Sequence, residues 1–134
     1  MNFLERPNEP ATQAQIALLT RQYPRTPASF VRFLSSTNGG YSPHAVVPLP
    51  DGTETSRLSF LGVGLNKPMS NVTDWRGLEQ DLLPVVVDGG GNLFCLRMDD
   101  DQGSVWFWDH DTREAEKCAD SWSDFVAQIR IEKL

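Results

Sequence analysis

The segment from residue 82 to residue 125 constrains the fold more than any other part of this 134-residue chain. It begins with a continuous apolar run at residues 83–87, followed by a glycine-rich turn whose residue types tolerate positive φ. Residues 93–98 and 104–108 are rich in aromatic, aliphatic and β-branched side chains, and the link between them is short and polar. The pattern predicts three consecutive strands, of which the last two form a hairpin.

A C-terminal helix is predicted directly after this segment. Ser121 precedes Asp124 by three residues, which is typical of a capped helix start. Four apolar residues then follow the spacing of one helical stripe, namely Trp122, Phe125, Val126 and Ile129.

Two helices are predicted in the N-terminal part. The first begins near Glu9 and Pro10 and ends before Pro24, and it buries Ile16, Leu19 and Tyr23. The second has Thr26 as N-cap and Pro27 at its first helical position, and it ends at Asn38 and Gly39. Its inner stripe consists of Phe30, Phe33, Leu34 and Thr37.

The middle of the chain gives weaker signals. The segment from Tyr41 to Pro50 is extended and broken by prolines, so residues 45–47 are predicted to form at most a short strand, at an edge of the sheet. Leu58, Phe60 and Val63 predict another strand. A helical turn is expected around residues 75–81. The resulting fold class is α+β: a single domain over residues 1–134, with a mainly antiparallel sheet whose central hairpin packs against the N-terminal helices and the C-terminal helix.

The order of these pieces resembles the SUKH superfamily. The shared features are Pro27 to Leu34 with the following Asn38-Gly39-Gly40, the LPVVVDGGGN and FCL stretches, VWFWDHD, and the terminal helix start. The chain departs from many relatives at Arg97, where they carry an acid. The resemblance implies a protein-binding role: bacterial members are immunity proteins that bind toxin domains, and the yeast branch regulates cell-wall synthesis.

The charge distribution favours a basic protein as the partner. The net charge of −6, with no Lys/Arg cluster, argues against nucleic-acid binding. Between residues 99 and 116 seven acids stand against one base, Arg113. We therefore predict an acidic end built around the hairpin that steers a basic partner. The acids are Asp99, Asp100, Asp101, Asp109, Asp111, Glu114 and Glu116.

The predicted partner-binding residues combine most of these acids with two aromatic anchors. They are Asp99, Asp100, Asp101, Trp106, Trp108, Asp109 and Asp111. An interface in which charge steers and an aromatic ring anchors has this composition. Two alternatives stay open: the acids form a solvated loop, and the tryptophans belong to the core.

Catalysis, metals and cofactors are not predicted. The glycines at 89–91 lack the Lys and Ser/Thr of a phosphate loop and are interpreted as a structural turn. A calcium loop starting at Asp99 would have His110 where a bidentate Glu belongs. His44 and His110 lack metal-ligand spacing, and nothing places a nucleophile beside His110.

The remaining features predict a cytoplasmic protein. No signal peptide and no membrane-spanning run is visible, and Cys95 and Cys118 are expected to be free thiols. The leading hypothesis, which the resemblance implies, is an immunity protein that binds and neutralises the cognate toxin domain of a bacterial polymorphic toxin system. The alternative is a regulatory interaction module without a toxin partner. The sequence leaves the toxin and the oligomeric state open.

Overall fold

The computed structural model describes residues 3–75, 78–79, 81–100 and 102–133. Within them lie three helices, α1 (Gln13–Gln22), α2 (Ala28–Ser36) and α3 (Trp122–Ala127). The strands are β1 (Arg6–Pro7), β2 (Gly40–Pro48), β3 (Glu54–Phe60), β4 (Leu82–Val87), β5 (Leu93–Arg97), β6 (Val105–Trp108), β7 (Ala115–Ala119) and β8 (Arg130–Ile131). The predicted α+β class is confirmed.

The strands form one antiparallel sheet in chain order, from β1 to β7, and β8 pairs with β2. The predicted hairpin consists of β5 and β6, with Phe94 opposite Phe107 and Cys95 opposite Trp106. It lies inside the sheet, because β4 flanks one side and β7 the other.

The helix starts differ in part from the predictions. The first helix begins later than expected, because Thr12 and Gln15 form a reciprocal capping box. The predicted N-cap Thr26 is wrong: its hydroxyl donates to the Tyr23 carbonyl at 2.6 Å, and Pro27 occupies the N-cap of α2. The predicted cap of α3 is confirmed, since Ser121 Oγ accepts the Asp124 amide at 3.1 Å.

Strands β2 and β7 depart from the sequence expectation, and the two-residue strands β1 and β8 were not predicted. Instead of a short edge strand at residues 45–47, β2 spans nine residues and is hydrogen-bonded on both sides. Pro43 is tolerated because it lies where the register with β3 shifts, between Ser42 and Val46. The strand β7 was missed, since its sequence AEKCA lacks a hydrophobic alternation.

The segment before β4 is irregular where the structure describes it. The predicted helical turn at residues 75–81 includes Arg76, Gly77 and Gln80, which lie outside the described residues, and the others are not helical. Val63 is buried but follows the end of β3.

The helices cover one face of the sheet. Trp122 of α3 packs edge-on against Phe30 of α2 with ring centroids 4.9 Å apart, and Phe125 contacts Phe94 at 4.9 Å. Residues alternate along β6, so Val105 and Phe107 face this core while Trp106 and Trp108 face a smaller apolar cluster on the opposite side. Both faces of β6 therefore contact apolar side chains.

Candidate partner-binding site

The acids of the predicted site lie on two turns rather than at one end. Residues 98–104, here called the first acidic turn, connect β5 to β6, and residues 109–114, the second acidic turn, connect β6 to β7. Because β6 is antiparallel to both neighbours, the two turns lie at its opposite ends. The prediction of one acidic end is therefore wrong.

The first acidic turn uses its acids within the chain. Asp99 is exposed and forms an ion pair with Arg97 Nε at 2.9 Å. Asp100 accepts hydrogen bonds from the Ser104 hydroxyl, the Ser104 amide and the Gly103 amide. Asp101 lies outside the described residues.

The hydrogen bonds of Asp100 favour its ionised form. Burial is the largest single influence and raises the pKa, but the bonds from Ser104 and the amides of Gly103 and Gln102 together outweigh it. The net result is a pKa below the ordinary value. Asp100 is therefore a structural carboxylate that holds the turn.

The first acidic turn also packs against the start of α2. Gly103 has φ +64°, and a Cβ added there would lie 2.2 Å from Pro27 Cγ. Glycine is required both by the backbone conformation and by this close approach.

The second acidic turn is more open. Asp109 Oδ1 accepts the amides of Asp111 at 2.8 Å and Thr112 at 3.4 Å, and Asp111 is exposed. His110 lies against Asn92, whose Oδ1 accepts the His110 amide at 3.1 Å and is 2.6 Å from Nδ1. Because Asn92 Oδ1 is an acceptor, Nδ1 carries the hydrogen.

Asp109, His110 and Asp111 bring one ligand atom each within 4.8 Å of one another. No other group of three such side chains occurs in the described ranges. His110 and Asp111 are exposed and Asp109 is half-buried, so water competes for every ligand position. The group has the donor types of a weak cation site, without the buried, closed shell of a structural one.

Trp106 and Trp108 are half-buried, and each lies under an arginine. Arg97 Cζ is 4.9 Å from the ring centroid of Trp106, and Arg113 Cζ is 5.6 Å from that of Trp108. Trp106 Nε1 also donates to Ser104 Oγ at 2.8 Å. The two rings therefore cover the smaller apolar cluster, and only part of each ring is accessible to a partner.

The other residues considered for chemistry have structural surroundings. Asp88 Oδ1 accepts the amides of Gly90 and Asn92, which makes the glycine stretch a hydrogen-bonded turn as predicted. Cys95 and Cys118 are free thiols, also as predicted. Burial raises the pKa of both thiols, that of Cys118 to about 12, so neither is a thiolate at neutral pH.

A cleft of about 360 Å³, which was not predicted from the sequence, lies between the β2–β3 loop and the second acidic turn. Its lining consists of Leu49, Pro50, Asp51, Phe107, Asp109, Thr112, Glu114, Ala115 and Glu116. Four of these nine are acids. Glu114 and Glu116 belonged to the counted excess, but Asp51 is far away in sequence and only the sheet brings it close.

The family follows from comparison with known proteins. The model of the SMI1 / KNR4 family (SUKH-1) matches residues 10–128. This chain belongs to the SUKH-1 family. The match includes both acidic turns and the cleft, and it confirms the resemblance noted from the sequence.

No curated protein and no solved structure matches this SUKH-1 chain. Among the described residues, no helix has the length and apolar content needed to cross a bilayer.

Proposed function

We propose that this SUKH-1 domain is an immunity protein that binds and neutralises the cognate toxin domain of a bacterial polymorphic toxin system. Family membership over residues 10–128 is the main support, because the family includes immunity proteins and is generally non-catalytic. The proposal makes the domain a protein-binding module without a cofactor or a metal.

The excess of acidic residues around β6 is the observation that supports a basic protein as the partner. Seven acids and one base lie between residues 99 and 116, on a chain with a net charge of −6. An excess of negative charge on the surface attracts a basic partner and speeds its association. Toxins that act on nucleic acids have basic substrate channels, so an acidic domain can occupy such a channel by imitating the charge of the substrate.

The predicted site residues differ in what they can contribute to this complex. Asp99 and Asp111 are exposed and supply steering charge. Asp100 and the half-buried Asp109 accept hydrogen bonds within their own turns. Trp106 and Trp108 supply partly accessible aromatic surface beside them. Asp101, outside the described residues, remains part of the proposed set.

The test starts from the product of the adjacent gene. Its toxin domain is expressed with and without this protein, and survival of the host cells and co-purification of the two chains are measured. Rescue together with a stable complex is expected. A toxin domain that kills equally in both cases, with no complex formed, overturns the proposal.

The alternative is a regulatory interaction module, as in the yeast branch of the family. The SMI1 / KNR4 family description favours it as a second candidate. Adjacent genes separate the two: a large secreted protein ending in a toxin domain supports immunity, and a housekeeping neighbour whose product binds this domain supports regulation.

A further inference from the structure

We propose that the cleft between the β2–β3 loop and the second acidic turn holds an arginine side chain of the protein partner. This inference deepens the proposed function and rests on it for the identity of the partner. It moves the centre of the interface from the predicted residues, which lie on β6 and on both acidic turns, to a concave site that shares only Asp109 with them.

The cleft has an apolar floor supported by the core. Phe107 packs against Phe94, with ring centroids 5.1 Å apart, and is half-buried. Leu49, which packs against the same core cluster, also lines the cleft. Glu116 is directly opposite Phe107 in the β6–β7 ladder, so its side chain lies on the same face of the sheet. An aromatic ring and a carboxylate are thereby placed side by side.

Two of the rim carboxylates are held in place by their own turns. Asp51 accepts the Thr53 hydroxyl at 2.6 Å and the Thr53 amide at 2.9 Å, and these bonds lower its pKa. Asp109 accepts two amides of the second acidic turn. Both carboxylates are therefore positioned before a partner arrives, which reduces the entropy lost on binding.

The other two rim carboxylates have no partner in the part of the chain that the structure describes. Neither the Glu114 nor the Glu116 side chain makes a hydrogen bond or an ion pair there, and the cleft lining contains no Lys or Arg. Four acids thus surround an apolar floor without a neutralising charge. Charge complementarity selects a cationic occupant.

The chemistry of the lining favours arginine among cations. A guanidinium is planar, stacks on an aromatic face, and offers five donors that can bind two carboxylates at once. It is also hydrated more weakly than an ammonium, so it enters an apolar cleft at lower cost. The volume of about 360 Å³ lies at the lower end of the range of small-molecule sites.

The first experiment uses acetyl-arginine amide as the probe and records backbone amide shifts by NMR. Saturable shifts are expected at Phe107, Glu114 and Glu116, with a dissociation constant in the millimolar range. Acetyl-citrulline amide, the neutral isostere, and acetyl-lysine amide are titrated in parallel and should bind more weakly. Equal shifts with citrulline or lysine, or shifts confined to other residues, overturn the assignment.

A matched pair of variants locates the effect. Glu114→Gln/Glu116→Gln should weaken binding of acetyl-arginine amide by about fivefold, since exposed charge contacts contribute modestly. Glu79→Gln/Asp81→Asn removes the same charge from two exposed residues outside the cleft and should leave binding unchanged. The same loss in both variants would mean that only net charge matters, and would contradict the proposal.

Binding of the toxin domain distinguishes a failure of the proposed function from a failure of the cleft assignment. If the neighbouring toxin domain does not bind, the proposed function fails, whereas the cleft is still judged by the arginine titration. If the toxin domain binds and Glu114→Gln/Glu116→Gln leaves the dissociation rate unchanged, the proposed function stands and the cleft assignment is wrong.

Discussion

The two acidic turns flank the same four-residue strand and each contains an aspartate that accepts backbone amides, but they differ in how many nearby carboxylates have no partner within the part of the chain that the structure describes. In the first turn Asp100 accepts bonds from Ser104 and Gly103, and Asp99 pairs with Arg97. Beside the second turn, Glu114 and Glu116 have no such partner among the described residues. The difference shows that the number of acids in a sequence segment indicates a binding surface only when acids that accept hydrogen bonds or form ion pairs within the chain are left out of the count.

Substitution of glycine should give the largest contrast between the two regions. Gly103→Ala would place a Cβ against Pro27 in a left-handed backbone, at a cost of about 2–4 kcal/mol from strain and overpacking. Gly52, in the loop beside the cleft, has φ +88° and no atom within 4 Å of an added Cβ, so Gly52→Ala should cost about 1 kcal/mol. Urea unfolding of both variants measures the difference. Equal costs would show that the first turn is not docked on α2.

Removal of a carboxylate should give the second-largest difference in stability between the two turns. Asp100→Ala leaves the Ser104 hydroxyl and the Gly103 amide without their acceptor and should lower the free energy of unfolding by about 2–3 kcal/mol. The control Glu114→Ala, at an exposed side chain, should change it by no more than about 0.5 kcal/mol. A loss in the control as large as that in Asp100→Ala would contradict the division of roles.

The pH dependence of the same site has a defined sign. Because the folded pKa of Asp100 lies below its ordinary value of 3.8, its contribution is present above about pH 4 and is lost as pH falls through the folded pKa. The stability difference between the wild type and Asp100→Asn should therefore stay constant at higher pH and shrink as the pH falls below about 4. If the difference stays constant over the acid range, the hydrogen bonds of the turn do not stabilise the ionised form of Asp100.

The sequence was sufficient for elements with strong local signals and insufficient where long-range contacts decide. Ser121, Trp122 and Phe125 predicted α3 correctly, because capping and helical spacing are local. The strand β7 could not be predicted from AEKCA, since its strand conformation depends on pairing with the aromatic strand β6. The cleft could not be predicted for the same reason, because Asp51 and Glu116 are brought together only by the folded sheet.

The two tryptophans of β6 extend the comparison to the opposite face. Trp106→Phe removes an indole N–H that donates to Ser104 in the first turn and weakens the stacking with Arg97, at a cost of about 1 kcal/mol. Trp108→Phe affects the longer contact with Arg113 and should cost about half as much. Thermal unfolding of the pair measures this, and a reversed order would show that the first turn does not depend on Trp106.

The smallest effect on stability is expected for Asp99→Asn. The Arg97–Asp99 pair is solvent-accessible, and such pairs contribute between about 0 and 1 kcal/mol. Arg97 also retains its contact with the Trp106 ring. The informative measurement for this variant is therefore the association rate with the neighbouring toxin domain.

The salt dependence of that rate decides which turn faces the partner. Four residues of β6, at about 3.3 Å each, separate the two turns by about 13 Å. This exceeds the Debye length of about 8 Å at physiological ionic strength but is well within the value of about 30 Å at 0.01 M. If the partner binds at the cleft, Asp99→Asn should slow association only at low salt, whereas Glu114→Gln/Glu116→Gln should slow it at both ionic strengths. If Asp99→Asn slows association as much as the double variant at physiological salt, the partner contacts the first acidic turn, because a charge about 13 Å from the cleft is largely screened there.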